Sequence, residues 1–254
     1  MTETPRSLLI TGASSGIGEA LARRCATPGV ALALAGRDRE RLAAVAASCR
    51  AKGAAVESAL LDVADRDGMR AWIERLDDRT PLDLLVANAG IAAGMGRVRE
   101  DEATARRVIA TNVEGVLNTV YPVLPRFMAR RRGQIALVSS LAAFRGLPTA
   151  PAYSASKAAV KALGEAWRLQ LAPDGIRVSV ICPGFVATRM TAPNKFRMPF
   201  LMSAERAAEI ILRGLARDQG RIAFPWPTAA ASWLMGALPW RLSDALVRGL
   251  APAA

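Results

Sequence analysis

Ser7-Leu-Leu-Ile10, followed by Thr11-Gly12-Ala-Ser14-Ser15-Gly16-Ile17-Gly18, is the stretch from which the fold is read. The short apolar run reads as a buried strand. Glu19 to Ala26 reads as helix. A strand, a glycine-rich turn and a helix N-terminus together make a phosphate cradle, because glycine lets the backbone approach a pyrophosphate and the helix end favours anions. The spacing is G-x-x-x-G-x-G rather than the commoner dinucleotide G-x-G-x-x-G. A plain strand-to-helix turn is the alternative, disfavoured by three glycines within seven residues among small and hydroxylic neighbours.

Outward from that stretch, strands and helices alternate. Strands are expected at 30–34, 55–61, 82–86, 134–138 and 177–181, and helices at 39–52, 66–76, 101–131 (one helix or two) and 153–171. Such alternation predicts an α/β fold, a doubly wound parallel sheet with helices on both faces in three layers. Ligands of open sheets of this kind bind beyond the strand C-termini. Asp62-Val63, Asn88-Ala89-Gly90, Ser139-Ser140 and Pro183-Gly184 all fall there. The second strand runs out at Gly36-Arg37. An acid at that place would hold a ribose 2′-hydroxyl, whereas an arginine suits a 2′-phosphate, so NADP is expected over NAD. Asp38 reads as a cap of the following helix.

The 254 residues carry no internal repeat, and one domain is expected over 1–254. The formal charge is +12, almost all from arginine, with four lysines. The arginines are scattered and aromatics are few, so no nucleic-acid partner is expected. The one tight cluster, Arg130-Arg131-Arg132, stands where a helix should end, and cations suit that end of the dipole. There is no histidine, and Cys25, Cys49 and Cys182 lack metal-ligand spacing, so no metal site is expected. Acid–base chemistry must then fall to Tyr, Lys or carboxylates. Without a signal pattern or an apolar run of ~20 residues, a reduced cytoplasmic enzyme is the expectation.

Tyr153-Ser-Ala-Ser-Lys157 puts a phenol and an ammonium on one helix face. A lysine beside a tyrosine favours the phenolate, which moves a group that titrates near ~10 toward neutrality. Taken with Thr11-Gly-x-x-x-Gly-x-Gly18, Asn88-Ala-Gly90, Ser140 and Pro183-Gly184, the order and spacing resemble the short-chain dehydrogenase/reductase family over roughly residues 7–190. The resemblance implies a Rossmann-type sheet of about seven strands and a nicotinamide cofactor. It implies that Tyr153 is the general acid/base, that Lys157 binds the nicotinamide ribose and lowers the Tyr153 pKa, and that Ser140 holds the substrate oxygen. Asn112 resembles the residue anchoring a relay water. Asp62 and Val63 resemble adenine contacts, and Thr188 a nicotinamide carboxamide contact. The cofactor set expected on this basis is Gly12, Ser14, Ser15, Gly16, Ile17, Gly18, Arg37, Asp62, Val63, Asn88, Ala89, Gly90, Tyr153, Lys157, Pro183, Gly184, Val186 and Thr188.

The expected activity is hydride transfer between NADP(H) and an apolar carbonyl or secondary alcohol. A non-catalytic NADP-binding sensor would show erosion of the Asn112, Ser140, Tyr153, Lys157 set, and epimerase or dehydratase relatives are usually longer with other glycine spacing. Residues 189–203 read as a substrate lid, in which Met190, Phe196, Met198, Phe200 and Met202 either give an apolar substrate wall or simply pack on the body. Beyond Phe224 the chain departs from the family's usual ending and carries Trp226, Trp233, Leu234, Met235, Leu238, Trp240, Leu242, Leu246, Val247 and Leu250. Two short helices are expected there, about 228–238 and 240–249, too short to span a bilayer. The family's tetramer contact is therefore in doubt, while a homodimer through the helices at 101–131 and 153–171 is expected. The tail either packs on the substrate cleft or a partner subunit, or lies in a membrane interface with Arg241 and Arg248 near anionic lipid. The first is preferred, as homodimers are the commonest way to hide such a patch.

Overall fold

The structure is a computed structural model that describes residues 5–92, 100–194 and 196–250, with side chains to residue 247. Lys195 of the expected lid, and the side chains of Arg248 and Leu250, lie outside the described residues.

Seven parallel strands form one sheet in the order β3-β2-β1-β4-β5-β6-β7. They are β1 (Ser7–Thr11), β2 (Ala31–Gly36), β3 (Ala55–Leu60), β4 (Leu84–Ala87), β5 (Gly133–Val138), β6 (Ile176–Pro183) and β7 (Arg221–Phe224). The helices are α1 (Gly16–Cys25), α2 (Arg39–Ala51), α3 (Arg66–Arg79), α4 (Glu102–Ile109), α5 (Gly115–Val120), α6 (Leu124–Arg130), α7 (Pro151–Leu171), α8 (Ala204–Ala216), α9 (Trp226–Ala237) and α10 (Trp240–Leu250). From β1 the chain steps outward through β2 and β3, then crosses to β4 and proceeds the other way. The reversal opens a crevice between the ends of β1 and β4, where open α/β sheets take ligands.

Strand side chains alternate between the two faces, and each face has its own core. Leu8, Ile10, Leu32, Leu34, Val86 and Ile181 pack with Leu21 of α1, Leu42 and Val45 of α2, and Ile211 and Leu215 of α8. Leu9, Ala33, Leu85, Ile135, Leu137 and Val178 pack with Trp72 and Ile73 of α3, Val116 of α5, Phe127 of α6 and Trp167 of α7. The expected three layers are thus present. One expectation needed correction, and one helix had gone unread. The span 101–131 is neither one helix nor two: α4, a π-helical turn at Ala110–Glu114, α5 and α6 divide it. No element had been read between Ser203 and Arg221, where α8 lies.

The arginine cluster is used internally. Arg130 makes a two-pronged bond to the buried Asp77, Nη1 to Oδ2 at 2.6 Å and Nη2 to Oδ1 at 2.9 Å. Arg131 donates to the Pro173 carbonyl and Arg132 to Asp83. Burial pushes the Asp77 carboxyl up, but the bonds from Arg130 and the Leu82 N–H, with Arg126 nearby, hold it below the ordinary value.

Candidate active site

A cleft of about 430 Å³ opens along the carboxyl ends of β1, β2, β4, β5 and β6. Its floor is the glycine turn. Gly12 has φ +64°, and a Cβ there would stand 2.8 Å from the Ala89 Cα, so glycine is the residue that fits. A Cβ at Gly18 would meet the Gly12 carbonyl oxygen at 2.4 Å. Gly18 therefore presses α1 against the turn and does not itself line the cleft. Gly12, Ser14, Ser15, Gly16 and Ile17 line it, at the N-terminus of α1.

The next strand end is tied to this turn. The Thr11 hydroxyl accepts from the Asn88 and Ala89 N–H groups, both at 3.1 Å. The Asn88 amide donates to the carbonyls of Thr11 and Gly12 at 2.9 and 3.2 Å. Asn88, Ala89 and Gly90 all face the cleft.

At its far end the cleft meets Gly36, Arg37, Asp38, Arg41, Asp62 and Val63. Asp38 caps α2 by accepting from the Arg41 N–H, as the sequence indicated. Arg37 is mostly exposed and donates to Asp62 Oδ2 at 3.1 Å. Arg41 pairs with Asp38 at 2.8 Å, and its Nε is buried without a hydrogen-bond partner. Sequence reasoning missed Arg41, although it lies one helical turn past Arg37 on a helix that starts at the strand end.

Ser140, Tyr153 and Lys157 meet at the middle. Ser140 follows β5, and its Oγ accepts from the Ala142 N–H at 3.1 Å. Tyr153 stands in the first turn of α7 and hydrogen-bonds with Ser140. Lys157 is 4% exposed and donates to the Val138 carbonyl at 2.8 Å, with its Nζ 5.8 Å from the centre of the Tyr153 ring. Burial pushes the Tyr153 phenol above its usual value, against the Ser140 bond, which lowers it. This corrects the expectation of a lowered phenol. Desolvation is the largest influence on both groups. For Lys157, burial brings the pKa down to about 8.

Asn112 does not line the cleft. It is buried in the π-helical turn. Its Oδ1 accepts from the Ile91 N–H at 2.8 Å, and its amide donates to the Ile91 carbonyl at 3.0 Å and to the Ser156 hydroxyl at 2.9 Å. The Ser156 hydroxyl in turn donates to the Tyr153 carbonyl at 2.7 Å. The side chain is thus a clasp between the segment after β4 and α7. Pro183, Gly184, Val186 and Thr188 line the remaining wall. Thr188 leans over Gly16, where a Cβ would lie 2.9 Å from its methyl group. Ser139 and Met190 also line the cleft, as do Ile91, Thr111 and Thr191, which were not singled out beforehand; Ile91 and Thr111 adjoin motif residues.

The arrangement fits a dinucleotide: a backbone cradle at a helix N-terminus, a cationic end, and a buried ammonium beside a phenol. Among the described residues, no group of His, Cys, Asp or Glu is placed to hold a metal.

Comparison with known proteins agrees. A family model described as short chain dehydrogenase matches residues 6–197. An uncharacterized oxidoreductase of Myxococcus xanthus is 42% identical over 246 residues, 96% of this chain and 97% of that one. A short-chain dehydrogenase from Sphingobium yanoikuyae, solved in complex with NADPH, superposes with TM-score 0.80 at 30% identity, covering 98% of both chains. The bulky-bulky ketone specific alcohol dehydrogenase of Comamonas testosteroni gives TM-score 0.78 at 27% identity, covering 100% of this chain and 98% of that one. With its seven-stranded sheet and this family match, the chain belongs to the short-chain dehydrogenases, oxidoreductases acting on CH–OH groups.

Proposed function

We propose that this protein reduces an apolar ketone or aldehyde with NADPH, or runs the reverse oxidation, using Tyr153 as acid/base. The observation that carries the reading is the meeting of Tyr153, Ser140 and Lys157 in the same cleft as the Gly12–Ile17 turn. A reduced nicotinamide bound there supplies the hydride. Tyr153 gives its proton to the carbonyl oxygen. Ser140 has an accepted bond from the Ala142 N–H, which leaves its O–H to steady the developing alkoxide. Lys157 stabilises the phenolate that Tyr153 becomes and holds the ribose; the N-terminus of α7 favours the same anion. Asn112 positions this pair through Ser156.

The preference for NADPH rests on the end of β2. No acid stands at Gly36, and Arg37 and Arg41 bring two guanidinium groups to that end of the cleft. Arg37 uses one bond on Asp62 and keeps donors for a 2′-phosphate. Asp62 and Val63 would border the adenine, and Thr188 the carboxamide, since all three line the cleft. The whole chain acts as one domain, with 189–203 as the lid and 225–254 as a helical extension. A homodimer through α4–α5 and α7 is supported by Ile109, Tyr121 and Leu169, large apolar side chains left exposed at 37, 50 and 79% on or beside those helices.

The test is a panel of ketones and aldehydes with NADPH, read at the reduced nicotinamide band, together with dissociation constants for NADPH and NADH. Turnover with tighter NADPH binding is expected. Equal or tighter NADH binding removes the role given to Arg37, and no turnover of any carbonyl removes the reaction.

A further inference from the structure

The C-terminal hairpin of α9 and α10 has an inner face that is seated and an outer face that is not. On the inner side, Ser243 donates to the Met235 carbonyl at 3.0 Å, Arg145 pairs with Asp244, and Gly236 lies so close to the Phe144 carbonyl that a Cβ would stand 2.4 Å from its oxygen. The hairpin thus sits on its own subunit's loop just past Ser140, and no described tail residue lines the cleft.

The outer side carries Trp226, Trp233, Leu234, Trp240, Leu242 and Leu246, each at least half exposed. None of the residues of α9 is buried, and no residue from Ile222 to Trp240 is charged. A helix apolar all round calls for a low-dielectric surrounding on its free side. The lid leaves the sheet beside this hairpin, since the Gly184 N–H donates to the Phe224 carbonyl at 2.7 Å. It adds Phe200 and Leu201 as exposed apolar groups.

Charge selects the occupant. Residues 186–203 hold Arg189, Lys195 and Arg197 and no acid. The tail holds Arg241, Arg248 and one acid, Asp244, which is paired with Arg145. In a two-fold contact each patch would face its own copy, so like charges would oppose one another. The homodimer helices meanwhile present a separate apolar set. An anionic lipid surface accepts both features: basic residues stay near the headgroups, and Trp side chains settle at the interface.

We propose that the lid and the α9–α10 hairpin form a rim that docks the protein on an anionic bilayer surface without crossing it. No described helix is long and apolar enough to span one. The inference does not depend on the reaction or the cofactor.

The test uses the full chain with vesicles of phosphatidylcholine alone and of phosphatidylcholine with phosphatidylglycerol, at low and high salt, read by co-sedimentation and tryptophan emission. Expected are association with the anionic vesicles, blue-shifted emission and release by salt. The Leu234→Glu/Trp240→Glu pair should abolish association while the melting temperature, the check on folding, is retained. Arg241→Ala should weaken it by roughly fivefold, the effect of one basic residue near an anionic leaflet. No association with either vesicle overturns the proposal. So does a dimer that the double substitution splits in the absence of lipid, which would assign this face to a second copy.

Discussion

The centre and one end of the sheet's carboxyl edge are built differently. Beyond β1 and β4, Thr11 and Asn88 lock two loops with four hydrogen bonds, and Gly12 and Gly18 leave no room for a Cβ. Beyond β6 and β7, Phe200, Trp226 and Trp240 stand 58, 79 and 67% exposed, and the segments carrying them touch the body on one side. The centre is specified by close approach and directed bonds, which few residues satisfy. The end is specified by apolar area, which many residues supply. The centre should break sharply on small changes, and the end should bend.

The largest effect is expected between the two regions. Tyr153→Phe should cut turnover by ~10²–10⁴-fold, the usual worth of a general acid–base group, with NADPH affinity and melting temperature kept. Full activity would end the mechanism. Next, Gly18→Ala should weaken cofactor binding by roughly ten- to a hundredfold, equivalent to the ~1–3 kcal/mol that overpacking costs. Titration of the folded variant with NADPH checks it, and wild-type affinity would mean the turn yields more than its contacts indicate. Asn112→Ala removes a clasp with three partners and should cost about 1–3 kcal/mol for the polar groups left unpaired, read as a fall in melting temperature. An equal truncation in the other region, Leu201→Ala, should change stability by under about 0.5 kcal/mol.

The pH profile gives the gentlest test. The Lys157 pKa in the fold is brought down to about 8 by burial, so its charge is lost as pH rises through that value. The Tyr153 phenol is raised and stays a proton donor there. Without its neighbouring ammonium the phenolate left by proton transfer is less stable. Carbonyl reduction measured in the cofactor-saturated enzyme should therefore fall by about half near pH 8, with no matching loss on the acid side from Tyr153. A flat profile to pH 10 would show that bound cofactor restores the charge.

Legibility in the sequence follows the same division. The glycine turn, Asn88-Ala-Gly90 and the Tyr153–Lys157 spacing could be read because each demands particular residues, and every strand expected from apolar runs is present within a few residues. The helix α1 spans Gly16–Cys25 rather than starting at Glu19, and its first residue, Gly16, still has the turn's positive φ of 60°. The π-helical turn escaped because one extra residue in a helix barely disturbs its apolar period. The helix α8 carried a readable signal: Ser203 caps it by accepting from the Arg206 N–H, ahead of Ala207, Ile211 and Leu215 at helical spacing. The direction of the Tyr153 shift was beyond reach, because spacing places Lys157 on the same face but does not tell that burial outweighs it.

The contact between Arg145 and Asp244 joins the loop after Ser140 to α10, and Gly236 rests on the same loop. Two binding events then share one mechanical element. If seating the hairpin favours one arrangement of that loop, and substrate at Ser140 favours the same one, each must tighten the other by an equal factor, since a coupling free energy belongs to neither site alone. Occupancy of the outer face would then be felt as a change in substrate affinity, and saturating substrate would be felt as a change in how firmly the hairpin holds its partner.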